Sequence, residues 1–353
     1  MPRFDRALLL DFVETLLTAG GMEADKATVT AEVLVEGDMI GHETHGLQLL
    51  HWYLECLADG SLNGTGSYQV VADRGAGFVW DGRLLPGAWL LTQALEQAMD
   101  RVRDHGIVGA AIRNCHHTCA LSAYMRKATD RGLIVQISAS NPAARRVAPY
   151  GGTRPVLTPN PLAMGFPTSG DPILIDVSTS ITTTTMTQLL ARKGERYPEA
   201  WALTAEGQPT DDPREITERG GTMMPLGGAA KGYKGFGLAM MVDLLGQGLS
   251  GKGRANTKAP GPLAQSAFLQ VIDPAFFAGL GAFTEQSDWL AEACRSNPPA
   301  PWNKSAVRVP GDSASMRRRD ALVRGVPVAD SDMARIAKHA RQLGVPLPRE
   351  IGA

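Results

Sequence analysis

The chain has little cysteine, almost no net charge and no long apolar run, and each shortage removes a class of protein. Four cysteines in 353 residues (Cys56, Cys115, Cys119 and Cys294) cannot staple a chain of this length. A disulfide scaffold is excluded, and a reducing cytoplasm is the expected setting. The 35 basic residues balance 36 acidic ones to a net charge of -1, with no basic stripe along the chain. The densest basic run, at 316–320, is short and offset by nearby acids. Neither nucleic acid nor a membrane surface is therefore an expected partner. No stretch of about 18 apolar residues occurs, so no spanning helix is expected. The N-terminal apolar segment is broken by Asp5, Arg6, Asp11 and Glu14, which makes it an amphipathic helix and not a signal peptide.

The composition is that of a globular protein with room for substantial cores: 44% hydrophobic and 20% charged. Apolar residues recur at helical spacing through 7–17, 27–40 and 47–57, with breaks at Gly20-Gly21 and Gly60. From residue 66 the pattern turns to short strands at 68–73, 77–82, 106–112, 132–138 and 172–178, with a helix at about 87–104. The alternation gives a mixed α/β chain. Residues 140–167 hold six prolines and three glycines and read as an irregular segment until "LAMGF". A Gly/Pro-rich region at 220–237 precedes a helix at about 236–248, residues 252–266 read as a mobile loop, and helical patterns close the chain at 313–323 and 331–343. No internal repeat is visible.

Several motifs invite a functional reading. "GQGLSG" (246–251) matches the dinucleotide fingerprint letter for letter, but it ends a helix, where glycine serves as a cap, instead of joining a strand to a helix. "GGAAKGYK" (227–234) lacks the spacing of an ATP phosphate loop. Its glycines and two lysines, Lys231 and Lys234, suit either an anion such as a cofactor phosphate or a solvated loop. "CHHTC" (115–119) has the residue types of a zinc site, yet four near-adjacent side chains cannot all reach one tetrahedral ion. No metal is expected; one histidine facing a pocket at a strand-to-helix junction is the alternative. In "GHETHGLQLLHWY" (41–53), His45 lies between Thr44 and Gly46. It is either a structural helix-start histidine or a proton donor and acceptor.

Taken in order, "THGLQLLHWYLECLADGSLN", "NCHHTCALSAYMRKATDRGLI", "APYGGTRPVLTPNPLAMGFP", "IDVSTS", "AWALTAEGQPTDDP", "MPLGGAAKGYKGFGLAMMVDLLGQGLSG" and "VRVPGD" resemble the motifs of the malate/L-lactate dehydrogenase-like NAD(P)-dependent oxidoreductases. That family includes ureidoglycolate dehydrogenase, diketogulonate reductase, sulfolactate dehydrogenase and the piperideine/pyrroline-2-carboxylate reductases. The resemblance spans about 4–345. It implies a non-Rossmann α/β fold with a helical N-terminal region (1–65) packed on a mixed-sheet cofactor-binding core (66–311). The C-terminal helices (312–353) are expected on the helical lobe. It also implies NADH or NADPH as cofactor, a small 2-oxo acid or cyclic imine as substrate, and a homodimer with the active site near the interface.

Residue by residue, the resemblance makes His45 the proton donor, with Thr44 in place of a serine. It gives His117 the role of proton acceptor or polarising group and lets Asp176 orient an imidazole or a cofactor hydroxyl. Ser140, Asn141, Asp176, Ser178, Thr179, Ser180, Tyr233, Lys234, Gly235, Pro310, Gly311 and Asp312 fall where the family binds the dinucleotide. Leu49, Tyr53, His116 and Asn160 fall on the substrate side. Four positions depart from the pattern. Leu49 replaces an arginine apt for a carboxylate, which leucine cannot clamp. Thr118-Cys119 replaces Phe-Gly, Thr158-Pro159-Asn160-Pro161 replaces Gly-Thr-Asn-Pro, and Met186 stands where a lysine is expected. Arg145, Arg146, Arg154 and Arg113 are candidate replacement cations, and Arg145 or Arg146 could meet a 2′-phosphate. The competing readings are a relative that binds a dinucleotide without turnover and a zinc protein built on "CHHTC".

Overall fold

The N-terminal helices form because apolar residues fall on one face and the helix starts are satisfied locally. In the computed structural model, which describes residues 1–259 and 263–352, Asp5 caps the helix Arg6–Ala19 by accepting the amides of Ala7 and Leu8 at 2.9 and 3.1 Å. Leu9, Val13, Leu16 and Leu17 of that helix are buried. The helix Ala24–Met39 packs on it, and the chain then passes through two 3₁₀ turns, Glu43–His45 and Leu47–Leu49, into the helix Leu50–Asp59.

A seven-stranded mixed sheet carries the rest of the core. In spatial order its strands are Gln69–Asp73, Gly77–Asp81, Ile107–Cys115, Gln265–Ile272, Ile134–Ser140, Leu162–Phe166 and Ile173–Val177. Only the pair Gly77–Asp81 and Ile107–Cys115 is parallel. On one face Val108, Ala110, Ile112, Val135, Ile137, Ala267, Leu269 and Val271 join a continuous core with the helix Gly87–His105 and the N-terminal helices. Alternation sends Ser138, Ser140 and Ser266 to the opposite face. There the helix Tyr233–Asp243 and its extension cover them, and Gln247 reaches Ser140. The C-terminal segment returns to the N-terminal helices. Strand Val326–Pro327 pairs with Arg3–Phe4, the Arg318 guanidinium meets Glu36 at 2.7 Å, and the helix Asp330–Leu343 packs on Leu50–Asp59. A smaller three-stranded sheet (Thr222–Met223, Ala202–Leu203, Pro209–Thr210) lies beside the helices Thr184–Lys193 and Arg214–Glu218.

The structure differs from the sequence reading at several places; the helices Thr184–Lys193 and Leu280–Arg295, for instance, form where no helical pattern is marked. The expected loop at 252–266 contains a 3₁₀ turn, Arg254–Asn256, and runs into a strand at Gln265; residues 260–262 of it lie outside the described residues. That strand is the sheet's centre, bonded to a neighbour on each edge. The helix expected at about 236–248 begins at Tyr233 and passes through a π turn at Leu244–Gly248. Gly246 and Gly248 therefore sit inside the helical segment, and of the three glycines of "GQGLSG" only Gly251, with φ +69°, takes the left-handed conformation of a cap.

Candidate active site

His45 ends the first 3₁₀ turn, and its position is set from behind. Asp38, on the helix Ala24–Met39, accepts the Leu47 amide at 2.8 Å. A methyl group at Gly46 would run into the Asp38 carboxylate, so glycine is what lets the turn lie against that side chain. Burial pushes the Asp38 carboxyl well above the usual carboxylate range, with the Leu47 amide opposing. The Thr44 hydroxyl oxygen lies 2.9 Å from His45 Nδ1. Burial pulls the His45 imidazole below the ordinary histidine range; His42 adds to this and Asp176 works against it.

His117 stacks against His45, with ring centroids 5.6 Å apart and planes 21° from parallel. It lies in the connection between strand Ile107–Cys115 and helix Ser122–Thr129. Its Nδ1 accepts the Cys119 amide at 3.1 Å, so the neutral ring carries its hydrogen on Nε2. Burial, then His45 and His116, hold His117 well below the usual histidine range. The Tyr53 hydroxyl donates to the His117 carbonyl at 2.8 Å and touches Cys119 Sγ at 3.2 Å. Tyr53, expected beside substrate, is 0% exposed and holds the His117 connection in place instead.

His116, also expected beside substrate, is buried with neither ring nitrogen hydrogen-bonded to a described residue. It stacks on Trp52 at 4.9 Å, and burial lowers its pKa to about 4. The thiols of "CHHTC" are buried as well. Cys115 Sγ meets the Gln265 carbonyl at 3.3 Å, and burial pushes both Cys115 and Cys119 up to about 12.

Asp176, next to the end of strand Ile173–Val177, accepts the Ser122 amide at 2.9 Å at the start of helix Ser122–Thr129. The residues after it turn back on the chain. The Thr179 hydroxyl donates to the carbonyls of Pro159 and Asn160, Ser178 Oγ lies 2.6 Å from Ser180 Oγ, and the Ser180 hydroxyl donates to the Thr182 carbonyl. The Leu226 amide bonds the Thr179 carbonyl at 2.9 Å, which brings the glycine-rich turn and its lysines beside this segment. Gly235 packs so tightly on Leu226 that a side chain could not fit, whereas Tyr233, Lys231 and Lys234 are exposed. Neither lysine is ion-paired among the described residues.

Ser140 and Asn160 belong to a buried polar knot. Ser140 donates to Asp243 at 2.6 Å, Asn160 Nδ2 donates to Asp243 and to the Ala239 carbonyl, and Arg254 Nε meets Asp243 at 2.6 Å. Gln247, presented by the π turn, donates to both Ser140 and Asp243. Asn160, expected at the substrate, is therefore spent on the fold at 0% exposure. Asn141 is half-buried and accepts the Ala143 amide within its own turn.

Pro310, Gly311 and Asp312 lie at the other end of strand Ile173–Val177. The Pro310 carbonyl accepts the Leu174 amide, and Asp312 is paired with Arg295 at 2.7 Å. Leu49 is half-buried at the end of the second 3₁₀ turn, and Met186 is exposed near the start of helix Thr184–Lys193. Of the candidate cations, Arg113 is committed to Asp81 and to the Ser250 carbonyl, while Arg145, Arg146 and Arg154 are exposed. Sequence reasoning missed Asp38, Trp52, Asp243, Gln247 and Arg254. Only the glycine at 46 signalled a close neighbour.

The donor set fits a nicotinamide dinucleotide on chemical grounds. Two exposed ammonium groups stand on a glycine-rich turn next to the Ser178–Ser180 segment, which follows Asp176, whose charge reaches His45.

Comparison with known proteins agrees. The malate/L-lactate dehydrogenase family model matches residues 4–337. A malate dehydrogenase of Pyrococcus horikoshii is 30% identical over 351 residues, covering 97% of this chain and 96% of that protein. The delta(1)-pyrroline-2-carboxylate/delta(1)-piperideine-2-carboxylate reductase of Pseudomonas syringae pv. tomato is 31% identical, covering 94% of each. The solved structure of the Pyrococcus horikoshii malate dehydrogenase superposes with a TM-score of 0.86 at 26% identity over 98% of this chain and 96% of that one. Fold and relatives converge: the chain belongs to the malate/L-lactate dehydrogenase family of NAD(P)-dependent oxidoreductases.

Proposed function

We propose that the protein reduces the C=O carbon of a small 2-oxo acid or the C=N carbon of a cyclic imine, using NADH or NADPH, with His45 as proton donor. The stacked pair His45–His117 carries this reading. Each Nδ1 is engaged, by the Thr44 hydroxyl and by the Cys119 amide, and neither Nε2 is hydrogen-bonded to a described residue. The nicotinamide supplies the hydride.

The protein's own residues divide the remaining work. In the imidazolium form that acts as the acid, Nδ1–H donates to the Thr44 hydroxyl oxygen and the proton that His45 delivers sits on Nε2. His117 is neutral and already uses Nδ1 as an acceptor, so it serves as an Nε2–H donor that polarises the substrate oxygen or nitrogen. This modifies the role of proton acceptor that the motif implied. The ammonium groups of Lys231 and Lys234 and the Ser178–Ser180 segment would hold the dinucleotide.

The test follows NAD(P)H absorbance over a panel of 2-oxo acids and cyclic imines. His45→Ala is expected to lower kcat by about 10²–10⁴-fold while dinucleotide affinity stays near wild type. Dinucleotide binding without turnover on any member would make the protein a binding relative and not a reductase.

The helix that covers the sheet leaves Met240, Met241, Leu244 and Leu249 open, an apolar strip that supports a homodimer. Light scattering would read twice the chain mass.

A further inference from the structure

We propose that Leu49 and Trp52 form an apolar wall of the substrate pocket and select substrates whose group beyond the reacting carbon is uncharged, an alkyl or aromatic chain in place of a second carboxylate or sulfonate. This rests on the reductase reading above and narrows its substrate class.

The placement follows from helical spacing. Leu49 ends its 3₁₀ turn and Trp52 lies in the first turn of helix Leu50–Asp59, so residues three apart share one face. That face turns toward the histidine pair, because the Trp52 ring stands edge-on to His117 at 5.7 Å and 85°. Both side chains are only half-buried, and each keeps surface to offer a ligand. Behind Trp52 the ring of His116 stacks at 4.9 Å and 29° and is itself crossed by Tyr53 at 5.3 Å. The indole is thus backed by two further rings and presents a stiff, flat surface.

The charges around the pair point the same way. Those that bear on His45 come from His42 and Asp176, and those on His117 from His45 and His116. Among the described residues no lysine or arginine hydrogen-bonds to either ring. A second anionic group placed against Leu49 and Trp52 would lose its water to apolar surface and, beside His45, sit in the field of Asp176. An alkyl or aryl group there would displace water from apolar surface and leave no polar partner unmatched.

The experiment compares 2-oxo acids of equal length that differ only at the far end: 2-oxopentanoate against 2-oxoglutarate, and 2-oxobutanoate against oxaloacetate. For the wild-type enzyme kcat/KM should favour the uncharged member by about 100-fold or more in both pairs. Leu49→Arg should shrink that ratio at least tenfold by improving the dicarboxylate, and Leu49→Met should leave it unchanged. A wild-type ratio near one overturns the wall, as does a folded Leu49→Arg variant with an unaltered ratio. If Leu49→Arg does not fold, the wild-type ratio alone decides. Fluorescence titration with the same four acids, using Trp52→Phe as the blank, reads the preference without turnover. Silence over the whole panel of 2-oxo acids and cyclic imines therefore sinks the reductase reading, while equal binding of both members of each pair sinks the wall.

Discussion

The imidazoles of His45 and His117, brought together from positions 72 residues apart in the chain, stack at 5.6 Å with their Nδ1 atoms turned to Thr44 Oγ1 and to the Cys119 amide respectively. Each ring is thereby left one free nitrogen. The pair stays neutral through burial, so whichever ring takes up a proton does so against the other.

The Thr44 hydroxyl lies 2.9 Å from His45 Nδ1 and occupies that nitrogen, which leaves Nε2 free. Thr44→Val, which keeps the shape and removes that oxygen, should lower kcat by about tenfold, the value of a single hydrogen bond of about 1 kcal/mol or slightly more. Thr44→Ser should retain most of the rate. Steady-state kinetics of the two variants side by side checks this, and equal rates for valine and serine would remove the hydroxyl from the mechanism.

The direction of the His45 shift sets the pH profile. Its protonated form accumulates only below the ordinary 6.5. kcat/KM for reduction should therefore rise as pH falls through the range below 6.5. The reverse oxidation, which needs the free base, should hold its rate down to a lower pH than an ordinary histidine would allow. Parallel profiles in both directions between pH 5 and 8 test the assignment; a midpoint above 6.5 contradicts it.

Asp38 holds the turn that carries His45 from a buried position. Asp38→Ala leaves the Leu47 amide without its acceptor, which costs about 1–3 kcal/mol. It also frees the 43–47 turn, so kcat should drop along with the urea midpoint. Gly46→Ala should do the same by collision with the carboxylate. A variant that loses stability while keeping full kcat would show that the turn does not depend on this anchor.

Burial of His116 predicts acid sensitivity of the fold. An unfolded histidine titrates near 6.5 and this one near 4, so between those values the unfolded chain takes up a proton that the folded chain refuses. The stability from this group is complete above pH 6.5, falls as pH drops through the window, and is exhausted near pH 4, a change of about 3 kcal/mol. His116→Phe should flatten that part of the acid limb in denaturant titrations at pH 7, 5.5 and 4.5. An unchanged limb would show that protonation of His116 does not drive acid unfolding.

Much of this molecule is readable in one dimension. Helices with an apolar stripe, such as Arg6–Ala19 and Asp330–Leu343, and strands of β-branched residues, such as Ile134–Ser140, announce themselves because their periodicity follows from the face they bury. The His-Gly pair at 45–46, the second histidine at 117 and the Asp176 segment are recognisable because each lies in a short local motif. The strand Gln265–Ile272 is hidden in the linear pattern, although its "SAFLQVI" run has the needed residues, because the preceding Gly/Pro-rich stretch reads as a loop. Its place at the centre of the sheet comes from partners at 107–115 and 134–140. Local propensity carries no information about such distant partners.

The sequence alone determined the α/β class, the family motifs and which histidines to watch, since these depend on spacing within a few residues. Tertiary structure alone decided what each residue does. It spent Asn160 and Tyr53 on holding the fold, gave His117 its Nε2–H tautomer, buried His116 without a partner behind Trp52, and set Asp38 against Gly46. A side chain's protonation and availability depend on the groups around it in space, and those arrive from segments that the linear order keeps apart.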